Sequence, residues 1–352
     1  MGQLLSKPVE EKTIEHQSHD LLTYCIGSMQ GYRMSMEDAH DVKLREDESI
    51  GVFGVFDGHG GKQCSLYLSQ HLLRMIFRRL KQGEELQEQT VSLTQRQSII
   101  KDSFFAIDKQ LEGTPSLVEC GSTAIVATYF RDQYIIVANT GDSRCILSVD
   151  GQAKNMSYDH KPTIMNERIR VENSNGYVLN NRINEILALS RAFGDFRFKS
   201  PYLSYTKNKY ILQNLPESIR RQSIESVIPK QHLKLVHLPP ELYQITVEPD
   251  FLVYDLVDNV RPEFMVIACD GIWDCFKNQD LIKLIRDKLG LGWQLPKITE
   301  YALNECLVMA NNYTGIGFDN MTMIIVAFHQ EQTMNEWYDM MKDKVLKEKN
   351  LV

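Results

Sequence analysis

Two apolar segments of strand length end on the same residue pair, Asp57-Gly58 and Asp270-Gly271, more than 200 residues apart. A carboxylate at the end of a buried strand is held rigidly at a sheet edge, and a following glycine allows a sharp turn close to a ligand. Single Asp-Gly pairs are mostly ordinary turns, so the signal is their repeated placement at the ends of apolar segments. Hard oxygen ligands on rigid supports suit Mg²⁺ or Mn²⁺. The pattern predicts one metal site assembled from distant segments.

Other acidic residues share this placement beside glycine, asparagine or a strand end: Glu37, Asp38, Asp142 and Asp319. Several carboxylates brought together repel each other, which raises their pKa values and destabilises the fold unless cations bind. Two divalent ions would resolve the repulsion and would lower the pKa of a shared water enough to give hydroxide near neutral pH. Such a hydroxide can attack phosphorus in line, so the cluster predicts a metal-dependent hydrolase with no protein nucleophile.

Two further residues beside these carboxylates suit phosphate chemistry. Arg33 lies four residues before Glu37, and a guanidinium binds phosphate oxygens in a bidentate fork. His59 lies two residues after Asp57 and is placed to protonate a leaving alkoxide. Taken singly, each is an ordinary surface or loop residue. Beside the carboxylates, we expect both to be catalytic.

Absent motifs exclude several other hydrolase classes. No cysteine is followed by arginine six positions later, as in a thiolate phosphatase loop. The chain also has no P-loop, no Gly-x-Ser-x-Gly elbow and no His-x-x-x-His pair. The formal charge of −7 disfavours a nucleic-acid binder. Seven cysteines without a Cys-x-x-Cys pair indicate reduced, packed thiols.

Hydrophobic periodicity predicts alternating strands and helices along the chain. Strands are expected over 22–29, 50–56, 264–269 and 321–328, an antiparallel meander over 123–149, and short strands over 177–190. Helices are expected after residue 61 to about 80 and over 98–111, 163–172, 281–289 and 297–312, with an apolar helical stripe from 334 to 345. Residues 81–97 are expected to form a loop.

The predicted organisation is a single catalytic domain, because both halves of the chain supply parts of the site. Residues 1–20 are expected to be a loose N-terminal lead-in, 21–330 the catalytic domain and 331–352 a C-terminal helix and tail. An insert at 199–245 is basic, with seven Lys or Arg and two Glu between 199 and 234. This insert is either a surface loop without a role or a docking segment for acidic partners.

The N-terminus reads Met-Gly-Gln-Leu-Leu-Ser, which fits the pattern for myristoylation of Gly2. Few basic residues support it, so a single acyl chain would give only weak, reversible membrane contact. No apolar stretch has the length of a membrane span or a signal peptide.

These motifs together resemble one known family, the metal-dependent type 2C (PPM) serine/threonine protein phosphatases, and the N-terminus and insert look most like fungal members. The resemblance is carried in order by Gly-Tyr-Arg-Met-Ser-Met-Glu-Asp-Ala-His at 31–40, Phe-Asp-Gly-His-Gly-Gly at 56–61, Gly-Ser-Thr-Ala at 121–124, Ala-Asn-Thr-Gly-Asp-Ser-Arg at 138–144, Asp-His-Lys-Pro at 159–162, Leu-Ser-Arg-Ala-Phe-Gly-Asp at 189–195, Ala-Cys-Asp-Gly-Ile-Trp-Asp at 268–274 and Asp-Asn-Met-Thr at 319–322. The chain departs from the family in the long link between Asp195 and Glu248.

The resemblance implies an α+β fold, with a central antiparallel β-sandwich flanked by helix pairs in α-β-β-α layers. It implies two Mg²⁺ or Mn²⁺ ions and a weaker third position. Its ligand assignments are Asp57 bridging two ions, the Gly58 carbonyl on one of them, Asp270 and Asp319 on the other, Glu37 and Asp38 acting through water, and Asp142 at the third position. Arg33 would hold the phosphate, and His59 would act as the acid.

The function expected from these features is hydrolysis of phosphoserine and phosphothreonine in proteins, through a water activated by two metals. Phosphoproteins, signalling kinases among them, are the expected partners, with no nucleic acid. The expected location is the cytoplasm, with membrane-associated and nuclear pools as further expectations. A pseudophosphatase that binds phosphoproteins without turnover and a phosphatase acting on small molecules remain as alternatives.

Overall fold

The computed structural model describes residues 4–86, 91–114, 117, 119–204, 235–311, 313–330 and 332–349. Two antiparallel sheets pack face to face in these residues. The first sheet has the order β1 (Leu4–Ser18), β2 (Leu22–Arg33), β18 (Met321–Phe328), β17 (Phe264–Ala268), β9 (Arg144–Val149) and β10 (Gln152–Asn155). The second has the order β16 (Asp250–Asp255), β8 (Tyr134–Thr140), β7 (Ala124–Phe130), β4 (Ile50–Phe56) and β3 (Ala39–Leu44).

Helices cover the outer face of each sheet. Helices α1 (Gln63–Leu86) and α2 (Leu93–Glu112) pack on the second sheet, and α5 (Asn278–Gly290), α6 (Leu295–Val308) and α7 (Met334–Glu348) pack on the first. The apolar stripe of α1, for example Leu68 and Leu72, is completely buried, as its helical spacing predicts. These layers confirm the expected α-β-β-α arrangement.

Short elements surround the end of the sandwich where the strands stop. A three-stranded sheet contains β5 (Gly58–His59), β6 (Gly121–Ser122) and β13 (Phe193–Gly194), and a hairpin joins β11 (Val178–Leu179) to β12 (Arg182–Ile183). Helices α3 (Met165–Asn173) and α4 (Asp270–Trp273), and 3₁₀ turns at Phe196–Phe198 and Pro240–Leu242, are further short elements.

Two expectations from the sequence are wrong at the N-terminal side of the chain. The lead-in is not loose, because residues 4–18 form β1 and pair with β2. This strand has no fully buried residue, and Ile14 is only partly buried against the core, so alternation of apolar and polar residues did not reveal the strand. The loop expected over 81–97 is also shorter, since α1 extends to Leu86 and α2 begins at Leu93 after the Ser92 cap.

The expected meander is correct for two of its three strands only. Strands β7 and β8 pair as a hairpin, but β9 pairs with β17 and β10 in the other sheet. The chain therefore crosses from the second sheet to the first between Thr140 and Arg144. Strand periodicity reports which faces are buried and not which sheet a strand joins, so the sequence could not show this crossing.

The ends of the basic insert are attached to the body of the protein. Strands β14 (Tyr202–Ser204) and β15 (Leu235–His237) pair with each other, and the Nζ of the buried Lys199 lies 2.8 Å from Asp108 Oδ1. Residues 205–234, which carry most of the basic charge, lie outside the described residues.

Candidate functional site

The two Asp-Gly pairs meet at one end of the sandwich, where strands from both sheets stop. Asp57 directly follows β4, Asp270 follows β17 after Cys269, and Asp319 lies two residues before β18. They border a cleft of about 440 Å³. Its lining includes Arg33, Glu37, Asp57, Gly58, His59, Asp142, Asp270 and Asp319. Asp38 is buried directly behind them, with 8% of its surface exposed. All nine residues proposed from the sequence thus belong to one site.

A compact group of ligand atoms lies at the base of the cleft. Oxygen or sulfur atoms of Asp38, Asp57 and Cys269 all lie within 4.8 Å of one another. Asp38 Oδ2 accepts a hydrogen bond from Thr322 Oγ1 at 2.7 Å. Burial raises the pKa of Asp38 to about 7, even though this hydrogen bond acts in the opposite direction. Burial also raises the pKa of the Cys269 thiol well above its usual value, so the thiol stays protonated and acts as a neutral neighbour.

Burial and mutual repulsion both disfavour the charged forms of the carboxylates in the cleft. Burial and then the charge of Asp270 raise the pKa of Asp57 well above its usual value. Burial and then Asp142 do the same to Asp270. Carboxylates in this condition are stabilised by binding cations, and hard oxygens are the donors that Mg²⁺ and Mn²⁺ prefer. The residues present therefore fit a divalent metal centre.

The glycines of both Asp-Gly pairs are required by close backbone packing. A Cβ on Gly58 would lie 2.4 Å from the carbonyl oxygen of Glu37, and one on Gly271 would lie 2.0 Å from that of Asn320. Neither contact is sterically permitted, so any side chain at Gly58 or Gly271 would push the Asp-Gly pair away from the segment beside it. This close approach brings the separate segments together at the cleft.

Arg33 lies at the end of β2 and forms an ion pair with Asp319 across the cleft. Asn320 anchors the segment between Arg33 and Glu37. Its Oδ1 accepts from the Glu37 amide at 2.9 Å, and its Nδ2 donates to the Ser35 carbonyl at 3.0 Å. Burial lowers the pKa of Arg33, but the charge and hydrogen bond of Asp319, together with the charges of Asp270 and Asp57, outweigh this effect, so the net pKa is raised. A charged guanidinium is therefore held at the acidic centre.

His59 is paired with a residue that the sequence analysis did not assign. Its Nε2 lies 2.7 Å from Oδ2 of Asp195. Burial lowers the pKa of His59, but the charge and hydrogen bond of Asp195, with a smaller contribution from Asp142, act in the opposite direction and the net pKa is raised. In the sequence Asp195 ends the motif at 189–195 and precedes the long link, and its 136-residue separation from His59 gave no spacing signal.

Asp142 is also paired with a residue not proposed from the sequence. It is 4% exposed and accepts a hydrogen bond from Lys161 Nζ. Burial lowers the pKa of Lys161, but the charge and hydrogen bond of Asp142, with smaller contributions from Asp270 and Asp159, act in the opposite direction and the net pKa is raised. Asp274 lies in the same electrostatic environment. Burial raises its pKa most, Lys161 lowers it, and the charge of Asp142 raises it by a smaller amount; the net pKa is raised.

Thr123 links the two sheets below the cleft. Its amide donates to the Asp57 carbonyl at 2.9 Å, and its Oγ1 accepts from the Asp57 amide at 3.2 Å. The same Oγ1 lies 2.8 Å from Oγ of Ser143, next to Asp142. The positions of Asp57 and Asp142 are thus coupled through one buried threonine. None of the helices in the described ranges is long and apolar enough to cross a membrane.

Comparison with known proteins gives one consistent result. Residues 22–314 match the family model described as Protein phosphatase 2C. The chain is 35% identical to Protein phosphatase 2C homolog 4 of Saccharomyces cerevisiae, over all of both chains. It is 34% identical to Protein phosphatase 2C homolog 3 of Schizosaccharomyces pombe, over 98% of this chain and 74% of the relative.

Solved structures support the same fold. A phosphatase from a pathogenic strain of Toxoplasma gondii superimposes with a TM-score of 0.66 at 20% identity, covering 92% of this chain and 97% of that one. A sex-determining protein of C. elegans also gives a TM-score of 0.66 at 20% identity, covering 93% of this chain and 69% of that one. At these identities the structural likeness concerns the fold alone.

Proposed function

Because the chain belongs to the protein phosphatase 2C family, we propose that the carboxylates of its cleft hold divalent cations while Arg33 and His59 act on the phosphoryl group. The chain is a metal-dependent protein phosphatase that hydrolyses phosphoserine and phosphothreonine. No observation on the site or on the relatives favours the pseudophosphatase alternative.

The single observation that carries the assignment is the convergence of half-buried carboxylates from distant segments in one cleft. Asp57, Asp270 and Asp319 would hold the cations directly, together with the Gly58 carbonyl. Glu37 and Asp38 would act through water, and Asp142 would border a weaker third position. Two ions, Mg²⁺ or Mn²⁺, match the number of carboxylates and the raised pKa values of Asp57 and Asp270. Divalent cations bound there would supply a nucleophile near neutral pH by lowering the pKa of water.

Arg33 would bind the substrate phosphate and fix it for in-line attack. Its guanidinium lies at the cleft wall, where its pairing with Asp319 orients it toward the acidic centre. Two parallel N–H donors match two phosphate oxygens, which adds geometric selection to the charge attraction. Binding of this kind converts the attack of water into a positioned, effectively intramolecular step.

His59 would protonate the leaving oxygen of serine or threonine. Asp195 accepts from Nε2, so Nδ1 is the ring nitrogen that would carry the transferred proton. Because the Asp195 carboxylate raises the pKa of His59, the ring is charged over a wider pH range than an isolated imidazole. An alkoxide is a poor leaving group, so proton transfer to it contributes about 10²- to 10⁴-fold in rate.

The test is turnover of a phosphothreonine peptide before and after removal of divalent cations. We expect hydrolysis to stop with a chelator, to return with added Mn²⁺ or Mg²⁺, and to be absent in Asp57→Asn under all conditions. A folded Asp57→Asn variant with wild-type turnover would contradict the ligand assignment. Binding of the peptide without any turnover in the metal-loaded wild type would indicate a pseudophosphatase. Faster turnover of small phosphomonoesters than of phosphoprotein would indicate a small-molecule phosphatase.

Further proposals concern location and partners. Gly2 would be myristoylated and give weak, reversible membrane contact to an otherwise cytoplasmic enzyme, with a nuclear pool; residues 1–3 lie outside the described residues. Signalling kinases would be among the substrates, and the insert at 199–245 would dock acidic partners. Intact-mass measurement of the protein from its native cell tests the acylation. Phosphoproteome changes on loss of the protein, compared with those in Asp57→Asn cells, test the substrates.

A further inference from the structure

The turn that carries Asp142 is not held by strand pairing, although Asn139 Nδ2 donates to the Gly141 carbonyl at 3.1 Å. Gly141 has φ of +118°, and a Cβ there would lie 2.6 Å from Cβ of Thr123. Glycine is therefore required, although it is also the residue with the greatest conformational freedom. The turn is where the chain crosses between the two sheets, so no strand pairing continues through it. Its geometry must be stabilised by neighbouring segments.

His160 contacts both polar groups of Gly141. The His160 amide donates to the Gly141 carbonyl at 3.0 Å, and the Gly141 amide donates to His160 Nδ1 at 3.1 Å. The histidine is only 3% exposed. A buried amide without a partner is costly, so loss of the ring acceptor would favour a different conformation of the turn.

The acceptor role of Nδ1 requires one tautomer of the ring. Because Nδ1 accepts, the ring proton must be on Nε2, which lies 3.1 Å from Oδ2 of Asp250. Asp250 is ionised, since its hydrogen bond with His160 lowers its pKa to about 2 and Arg191 acts in the same direction. Arg191 Nη1 holds the other oxygen of Asp250 at 2.8 Å. The carboxylate therefore selects the tautomer that Gly141 needs.

We propose that His160 is a positioning residue, which holds the Asp142 turn through Gly141 in the tautomer fixed by Asp250. The proposal rests on the proposed role of Asp142 beside the cations. It assigns a function to His160, the histidine of the Asp-His-Lys-Pro motif at 159–162. In the described contacts, His160 itself touches none of the carboxylates assigned to the cations.

The direct test compares two substitutions that each keep one half of the interaction. In His160→Asn the amide oxygen replaces Nδ1 as acceptor for Gly141, whereas in His160→Gln the side chain reaches Asp250 and leaves Gly141 without an acceptor. Hydrogen exchange of the Gly141 amide is measured in metal-free protein. We expect exchange about 10-fold faster or more in His160→Gln, and a smaller change in His160→Asn. Equal exchange rates in His160→Gln and wild type would overturn the proposal.

Mn²⁺ binding measured by calorimetry gives the functional readout. Outer residues that orient a ligand typically change metal affinity by about 10- to 100-fold when mutated, so the weakest Mn²⁺ site of His160→Gln should weaken to that extent. Equal weakening in His160→Asn and His160→Gln would also overturn the proposal, because the acceptor would then be irrelevant. Asp142→Asn is measured beside them. If its Mn²⁺ binding is unchanged, the proposed role of Asp142 fails, while the exchange result still decides the role of His160.

A matched control separates positioning from general stability. His329 is also 3% exposed and hydrogen-bonded, to Thr23 Oγ1 at 3.1 Å, but it lies outside the cleft lining. His329→Asn should lower the melting temperature without changing Gly141 exchange or Mn²⁺ affinity. If His160→Gln does not fold, Asp250→Ala replaces it, because the side chain of Asp250 is 63% exposed. We then expect faster Gly141 exchange in Asp250→Ala than in Asp250→Asn, which keeps an acceptor for Nε2; equal exchange would overturn the proposal.

Discussion

His59 Nε2 and Asp195 Oδ2 lie 2.7 Å apart, although the two residues are 136 positions apart in the chain. Gly121 provides the space for this pair, since a Cβ there would lie 2.3 Å from Asp195 Oδ2 and 2.5 Å from His59 Nε2. Strand pairing brings the three residues together, because β6 lies between β5 and β13 and Asp195 follows β13. A small sheet of two-residue strands thus positions the proposed acid.

The first prediction concerns the pH dependence of turnover. Asp195 raises the pKa of His59, so in the wild type His59 stays protonated to a higher pH than without this carboxylate. In Asp195→Asn, the decline of kcat at high pH should begin at a lower pH for a phosphoserine peptide. An aryl phosphate, which needs little help from an acid, should show a much smaller difference. Superimposable profiles of wild type and variant on the peptide would contradict the acid role.

The second prediction concerns the stability of the metal-free protein. Burial and neighbouring carboxylates raise the pKa of Asp270, so its charged form opposes folding near neutral pH. Asp270→Asn should therefore raise or preserve the melting temperature without metal, and should remove the additional rise that Mn²⁺ gives to the wild type. The exposed Asp258 offers a control, since Asp258→Asn should leave both values unchanged. A large loss of metal-free stability in Asp270→Asn would argue against electrostatic repulsion at this position.

The third prediction concerns the close backbone contact between Gly58 and Glu37. Because a Cβ on Gly58 would lie 2.4 Å from the Glu37 carbonyl oxygen, Gly58→Ala should lower the free energy of unfolding by about 1–3 kcal/mol. It should also weaken Mn²⁺ binding, since the two acidic segments would separate. Gly113→Ala is the matched control, because nothing lies within 4 Å of its Cβ position. Denaturant unfolding with calorimetry would measure both effects, and equal results for the two variants would refute the packing argument.

The fourth prediction concerns acid sensitivity. Burial raises the pKa of Glu167, but Arg170 and Arg191 outweigh it and lower the pKa to about 2 from an ordinary value of 4.5. A lowered pKa in the folded protein gives stability that is present above the unfolded value and is lost as the pH falls toward 2. Glu167→Gln should cost roughly 3 kcal/mol at pH 7, and this difference should shrink below about pH 5.

Urea unfolding at several pH values measures this difference. The control lies on the same helix, where Glu172 forms an exposed ion pair with Arg168. Glu172→Gln should cost less than about 0.5 kcal/mol at any pH. A Glu167→Gln variant whose deficit does not change with pH would show that the arginine pairing is not its source.

Local rules were sufficient for the parts of the site that lie at strand ends. Asp57 and Asp270 follow buried strands, so the apolar run and the Asp-Gly pair marked them without any knowledge of the fold. The helix stripe of α7 was recognised in the same way, and Trp337 and Met341 are buried as its spacing predicts. These features depend on residues that are close together in the chain.

The side-chain pairings of the site that the sequence did not reveal are long-range. The pairing of Lys161 with Asp142 spans 19 residues, and the attachment of Asn320 to the Glu37 amide spans 283. Such contacts leave no periodic signal, because they depend on which sheet each strand joins. Strand β1 was missed for another reason, since backbone pairing along an exposed edge needs no alternation of apolar residues.

The central claim is tested most directly by locating manganese in crystals of the metal-loaded protein, using anomalous scattering at the manganese edge. We predict two strong peaks in the cleft, with Asp57 contacting both and Asp270 and Asp319 contacting one of them. Crystals of Asp57→Asn that are loaded with manganese in the same way should lack at least one of these two peaks. Anomalous density absent from the cleft, or present only on surface carboxylates, would contradict the proposed metal centre.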